Sequence, residues 1–188
     1  MIDPAPILAR FPQVALDPAT HALVVPSQHA TAIATWLRDD PAFALDYASN
    51  VTGVDYLPVE KKQKVKQPDG TETEETVSQP GYFEVVYHLY SMRLKNGPLV
   101  IRQRTEGREN PSVASLTPVY RSAEFQEREV FDLYGIQFRG HPDLRRILMW
   151  DEFVDFPMRK DYKAPDDFEY EPTPHDSVLT EAKKHYTP

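Results

Sequence analysis

Two runs rich in β-branched and aromatic residues, GYFEVVYHLYSMRL (Gly81 to Leu94) and PLVIRQR (Pro98 to Arg104), are separated only by Lys95-Asn96-Gly97. An Asn-Gly step between such runs signals a hairpin, because both residues accept the positive φ that a tight reversal needs. This feature commits the middle of the chain to antiparallel pairing. FALDYASNVTGVDYL (Phe43 to Leu57) alternates well enough to read as a further strand, with Gly53 as a bend or bulge. Upstream, Ser27 is placed to cap a helix that runs through His29, Ile33, Trp36 and Leu37 until Asp39-Asp40-Pro41 stops it. Ala30, Ile33, Ala34 and Leu37 recur at helical spacing, so one face of that helix packs on a core. The expected fold is α+β: a small, mostly antiparallel sheet packed with helices, followed by an extended C-terminal tail. His88, in mid-strand among aromatics, reads as a packed strand histidine rather than a ligand.

The ends of the chain and one internal stretch depart from this pattern. The 188 residues include 18 prolines, against an average usage near ~5%. They gather toward the two ends, so residues 1–26 read as a proline-rich extended segment and 27–122 as the α+β domain. Within that domain, at about residues 60–80, KKQKVK and ETEETV flank the turn signal Pro68-Asp69-Gly70. That insertion reads as a solvent-exposed hairpin with Lys facing Glu, or as a disordered loop. From residue 164 to 188 the chain is acidic and proline-punctuated, without sustained periodicity. It is either a disordered tail or a segment that wraps along another protein, and Phe168, Tyr170 and Tyr186 favour wrapping.

Charge and composition exclude several functions. A net charge of -8 argues against nucleic acid as a partner, since phosphate binding wants a basic face. With no cysteine, disulfides, thiolate zinc sites and Cys-ligated iron–sulfur clusters are excluded from this chain. No run of ~18 apolar residues is present to span a membrane, and MIDPAPILARFPQVALD shows no signal-peptide pattern.

Residues 123–163 hold the densest chemistry. Ser122 is placed to cap a helix through AEFQEREVFDLY, with Gly135 in the left-handed position past its end. At roughly 100° per residue, Ala123, Val130, Phe131, Leu133 and Tyr134 share an apolar arc, and Arg128, Glu129 and Asp132 fall opposite. Two residues disobey: Glu127 lies in the apolar arc, and Phe125 on the polar side, where it could face a partner. A carboxylate facing a core costs several kcal/mol unless paired, so Arg145 or Arg146 is expected to clamp Glu127. Beyond an Arg139-Gly140 turn, His141-Pro142-Asp143 should open a second short helix with Leu144, Ile147 and Leu148 as its buried stripe. His141 with Asp143 could be drawn as a catalytic pair, but no Ser, Cys or Lys nucleophile lies near it, and a structural turn is the better reading. Arg159, Lys160 and Asp161 form a basic spot in an acidic protein, suited to an acidic patch on a partner.

These residues resemble the 30-kilodalton subunit family of the respiratory NADH:quinone oxidoreductase, complex I. Glu127-Arg128-Glu129, Asp132, Leu133-Tyr134, His141, Arg145 and Ile147-Leu148 match the family's signature position by position. FALDYASNVTGVDY, EVVYHLYSMRL and PSVASLTPVYRSAEFQERE are similar to its first strand, its central hairpin and its lead-in. The family usually has Trp where Phe125 stands, and Gly-His where Asp155-Phe156 stands. The resemblance implies a non-catalytic assembly subunit of the peripheral arm, with no cofactor of its own and with FMN and iron–sulfur clusters in partner subunits. It further implies contact with the large quinone-site subunit and with the small subunit carrying the terminal cluster. The location implied is peripheral, at the cytoplasmic face of the cell membrane. Equivalent subunits of plastoquinone-linked complexes or membrane-bound hydrogenases are the alternative within this class. A stand-alone enzyme using Glu127, His141 and Asp143 is the alternative outside it.

Overall fold

The computed structural model describes residues 2–66 and 72–163, the side chains of 61–66 and 72–77 excepted. The tail 164–188 and the turn Pro68-Asp69-Gly70 lie outside these residues. Helix α1 (Ala5–Arg10), strands β1 (Ala15–Leu16) and β2 (Leu23–Val24) and helix α2 (Ser27–Asp39) precede strand β3 (Tyr47–Tyr56). Strands β4 (Val59–Lys66), β5 (Glu72–Gln79), β6 (Tyr82–Ser91) and β7 (Asn96–Arg104) follow. Strand β8 (Ser112–Ala114), a single 3-10 turn (Arg121–Ala123), helix α3 (Glu124–Tyr134) and strand β9 (Gln137–Arg139) come last.

The main sheet has the order β1-β2-β7-β6-β3, and every neighbouring pair is antiparallel except β2 with β7. Strands β8 and β9 make a separate parallel pair. This is the α+β arrangement expected. Alternation along the strands sends Ala48 and Val51 of β3, Phe83, Val85, Tyr87 and Leu89 of β6, and Leu99 and Ile101 of β7 into the core. Helix α2 meets them with Ala30, Ile33, Ala34 and Leu37, the four residues its spacing selected. Each fully buried aliphatic or aromatic side chain here contributes roughly 1.5–3 kcal/mol through removal from water.

The N-terminal residues do not stay apart as an extended segment. Ile7, Val14, Leu23 and Val25 are buried in the same core, and β1 and β2 lengthen the sheet. The prolines explain why the sequence misleads: one occupies the first turn of α1, where the missing N–H costs nothing. Pro26, in extended conformation, sets the chain direction into α2. Ser27 does not cap that helix. Its hydroxyl accepts from the Ala114 amide at 2.5 Å and from Arg139 at 3.1 Å, fastening α2 to the β8–β9 pair.

The hairpin between β6 and β7 turns through residues 92–95, and Asn96 and Gly97 already belong to β7, with Asn96 opposite Ser91. Lys95 takes a positive φ within the turn, and Gly97 takes another just after it. The Asp46 carboxylate accepts from the Met92 amide at the start of this turn, at 2.8 Å. The charged insertion pairs as β4 with β5. Lys66 stands opposite Glu72 and Lys64 opposite Glu74, while Lys61 faces Val77 and Lys62 faces Thr76. The register is continuous with the core: Tyr56 faces Tyr82, and three residues further along each strand Val59 faces Gln79.

Gly53 is not the irregular point of β3, which lies between Ala48 and Asn50. Gly53 sits in regular register opposite Val85, and the Tyr134 ring lies where its side chain would be. A β-carbon there would come within 2.7 Å of Tyr134 Cδ2. Gly53→Ala should therefore force Tyr134 off its seat and cost about 1–3 kcal/mol. The expected observation is a lower urea midpoint with an unchanged slope.

Candidate functional site

Helix α3 begins without a side-chain cap, because the hydroxyl of Ser122 donates instead to Ala48 O of β3 at 2.8 Å. Gly135 ends the helix in the left-handed conformation, φ 74°, with its N–H on Phe131 O. The helix is buried on more than one side. Glu127 and Asp132 are wholly buried, and Arg128 is 5% exposed, so the side opposite the apolar arc is covered rather than solvated. The cover is the chain's own segment from His141 to Tyr162, which returns across α3. Glu129 and Phe125 stay exposed, and the Arg128 guanidinium lies 5.6 Å from the Phe125 ring.

Glu127 faces the core from the first turn of α3 and meets neither arginine. One carboxylate oxygen accepts from Tyr87 Oη at 3.0 Å and from the Leu116 amide at 2.7 Å. The other accepts from Ser115 Oγ at 2.5 Å and Thr117 Oγ1 at 3.0 Å. The expected Glu–Arg clamp is thus replaced by four neutral donors, three of them from the loop after β8. Arg145 and Arg146 lie on the far side of α3, where Glu127 does not point. Burial pushes the Glu127 pKa up, and the Ser115, Leu116, Tyr87 and Thr117 hydrogen bonds only partly offset this.

Asp132 has the arginine that Glu127 lacks. Arg146 Nη1 donates to one of its oxygens at 2.6 Å. The amides of Ile147, Leu148 and Met149 converge on the other at 3.0, 2.7 and 2.9 Å. This cradle is incompatible with the second short helix expected from 141 onward. Three successive amides aimed at one carboxylate cannot also point back along a helix axis to carbonyls four residues earlier. The stretch is accordingly irregular, and Ile147 and Leu148, expected as a buried stripe, are exposed. Arg128 completes the clasp by donating to Arg145 O at 3.1 Å and Arg146 O at 3.0 Å. Burial alone would raise the Asp132 pKa, but the amides of Met149, Ile147 and Leu148 and the Arg146 guanidinium together hold it below the usual carboxylate range.

His141 and Asp143 do not form a catalytic pair. His141 Nδ1 accepts from the Asp143 backbone amide at 3.1 Å, so Nε2 carries the proton and donates to Glu124 O at 3.0 Å. The Asp143 carboxylate instead pairs with Arg145 at 2.9 Å on the surface. Glu127 shares no hydrogen-bond partner with either, so the three residues of the stand-alone enzyme reading do not converge.

Of the expected basic spot only Arg159 turns inward, while Lys160 and Asp161 stay exposed. Arg159 Nε donates to Tyr134 O, left open at the end of α3, at 2.7 Å. Its guanidinium lies over Phe156 and Phe83, 4.6 and 5.0 Å from the ring centroids, and burial lowers its pKa. The Lys160 amide donates to Asp55 at 2.8 Å, while Asp161 pairs with Arg108 at 2.8 Å. Arg108 also pairs with Asp55, which is 3% exposed. Sequence reasoning missed Tyr87, Ser115, Thr117, Asp55 and Arg108. Only Tyr87 carried a signal, since strand alternation puts it on the core face. Among the described residues, no three His, Asp or Glu side chains are grouped to hold a metal ion, and no helix is long and apolar enough to cross a membrane.

With the signature residues located, the comparisons with known proteins decide the affiliation. The family described as "Respiratory-chain NADH dehydrogenase, 30 Kd subunit" matches residues 23–168. The chain belongs to this family. It is 39% identical over 142 residues to a C-type subunit of the NADH-quinone oxidoreductase of Rhizobium meliloti (strain 1021), covering 76% of this chain and 65% of that one. The chain therefore spans slightly less than two thirds of that relative's length. A similarly described protein of Rhizobium etli (strain CIAT 652) is 38% identical over 164 residues, which is 84% of this chain and 74% of the relative. Among solved structures, a chain of the membrane-bound sulfane sulfur reductase, an archaeal respiratory membrane complex, superposes with a TM-score of 0.53 at 18% identity. The superposition covers 97% of this chain and 88% of that one, and at that identity the likeness is one of fold.

The two buried carboxylates of α3 should differ in the cost of substitution and respond oppositely to pH. Asp132→Ala removes the acceptor of one guanidinium and three amides, and is expected to cost about 3–5 kcal/mol. Glu127→Gln keeps an oxygen for Leu116 and Tyr87 and removes an unpaired buried charge, so about 1 kcal/mol is expected at neutral pH. Because the folded-state pKa of Asp132 is lowered, its contribution is present above the unfolded value and is lost as pH falls through the folded one. Because that of Glu127 is raised, its contribution is fully present below the unfolded value and declines as pH rises through the folded one. Urea titrations between pH 3 and 8 on wild type and both variants check these slopes. Arg146→Ala should follow Asp132→Ala, whereas Arg145→Ala should leave the midpoint unchanged.

Proposed function

We propose that this chain is a non-catalytic structural subunit of the peripheral arm of a proton-translocating NADH:quinone oxidoreductase. The observation that carries this reading is the family match across residues 23–168, which takes in both α3 and the segment folded over it. Within that region Glu127, Asp132, Arg128, Arg146 and Arg159 are engaged in holding backbone and side chains of the same chain. They supply a fixed shape, which is what an assembly subunit contributes. Electrons would pass from FMN through iron–sulfur clusters in partner subunits, with none bound here. The partners would be the large quinone-site subunit and the small subunit bearing the terminal cluster. The complex would hold this chain peripherally at the cytoplasmic face of the cell membrane.

Affinity purification of the tagged chain from native membranes tests the reading. The expected result is co-isolation with iron–sulfur subunits and NADH:quinone reductase activity. Asp132→Ala should cut the recovered complex severalfold without changing the quinone KM of what remains assembled. A chain recovered alone, and active alone, would sink the proposal.

A further inference from the structure

The segment ILMWDEFVDFPM, Ile147 to Met158, combines exposed apolar side chains with a backbone anchored to the fold. Within it Phe153 is buried, but four of the segment's apolar side chains point outward: Ile147, Leu148, Val154 and Met158 are 38%, 58%, 82% and 53% exposed. Its backbone, in contrast, is pinned from inside. The amides of Ile147 and Leu148 are held on Asp132, Asp155 O accepts from Arg146 at 3.1 Å, and the Met158 amide donates to Leu133 O at 3.1 Å. Exposed apolar groups on an anchored backbone need little ordering when a partner arrives, so association loses less conformational entropy than it would on a loose loop.

The charge around these groups selects the partner. The segment contains Asp151, Glu152 and Asp155 and no lysine or arginine. All three are exposed, and among the described residues none forms an ion pair. A second copy would set carboxylates against carboxylates. The chain's own residues 164–188 begin with Asp166, Asp167, Glu169 and Glu171 and meet the same repulsion. We infer that the segment 147–158 is a docking surface for another protein whose contact face has an apolar centre and a lysine- or arginine-bearing rim. The inference rests on the subunit reading above and adds the location of the contact and the sign of its charge.

The test uses the complex isolated from native membranes. A carbodiimide joins carboxylates to lysines in direct contact, and mass spectrometry then locates the bonds. Cross-links from Asp151 or Glu152 to a lysine of a different subunit are expected. The double variant Asp151→Lys with Glu152→Lys, and separately Val154→Glu, should lower the amount of chain retained in the complex at least tenfold. Thermal unfolding of the full-length variants should match wild type, since neither change touches the core, and if a variant unfolds the cross-links alone decide. Cross-links to Lys183 or Lys184 of the same chain, cross-links between two copies, or undiminished retention of well-folded variants would each overturn the inference. Failure of the wild-type chain to co-isolate with any partner would instead overturn the subunit reading, so the two outcomes are distinguishable.

Discussion

The Asp132 carboxylate is the contact on which the arrangement of the whole C-terminal part depends. A buried carboxylate with one arginine alone would be unfavourable, because desolvating both ions can cost more than their attraction offsets. Three amides on the second oxygen change the balance, since they satisfy the remaining lone pairs and gather residues 147–149 around a single point. Helix α3 is thereby converted from a surface helix into a buried one. Arg128 and Arg146 then bind carbonyls of the returning segment, including Arg145 O and Asp155 O, so the clasp closes from both sides.

Asp132, Asp55 and Glu127, three of the buried carboxylates, divide the work in different electrostatic styles. Asp132 and Asp55 are paired with guanidiniums and also accept backbone amides of the returning segment. Among the described residues Glu127 has no cation, and it relies on hydroxyls, one amide and its place in the first turn of a helix, where the dipole favours negative charge. Its pKa is accordingly raised where that of Asp132 is lowered. One helix thus carries two carboxylates, at positions five residues apart, whose protonation preferences are driven in opposite directions by what the rest of the chain brings to them.

Much of the fold was legible because periodicity reports directly on burial. The core face of α2, the strand runs that became β3, β6 and β7, and the left-handed Gly135 all follow from local spacing. Glu127 was recognisable as a carboxylate out of place. Its partners were not, because Tyr87 and the Ser115–Thr117 loop reach it through tertiary folding and no short-range pattern links them. The second helix failed for a related reason. Pro142, Asp143 and an apolar stripe are good local evidence for a helix, but a distant carboxylate competed for the same amides and won. The inward turn of Arg159 has the same origin, in the open carbonyl of Tyr134 and two aromatic faces. The prolines near the N-terminus misled in another way, since proline is compatible with a first helical turn as well as with extended chain.

The matched register of β3–β6 and β4–β5 has a consequence for how this chain can vary. Core strands and charged ribbon are separate ladders kept in step across residues 57–58 and 80–81, so residues added symmetrically at the ribbon's outer end lengthen it without displacing any pair behind it. An addition to only one strand would shift every outer pairing by a step and turn its side chains to the opposite face. Change at this place should therefore come in matched increments, and the ribbon can grow or shrink as a modular limb while the body that carries Tyr87 and Asp55 keeps its shape.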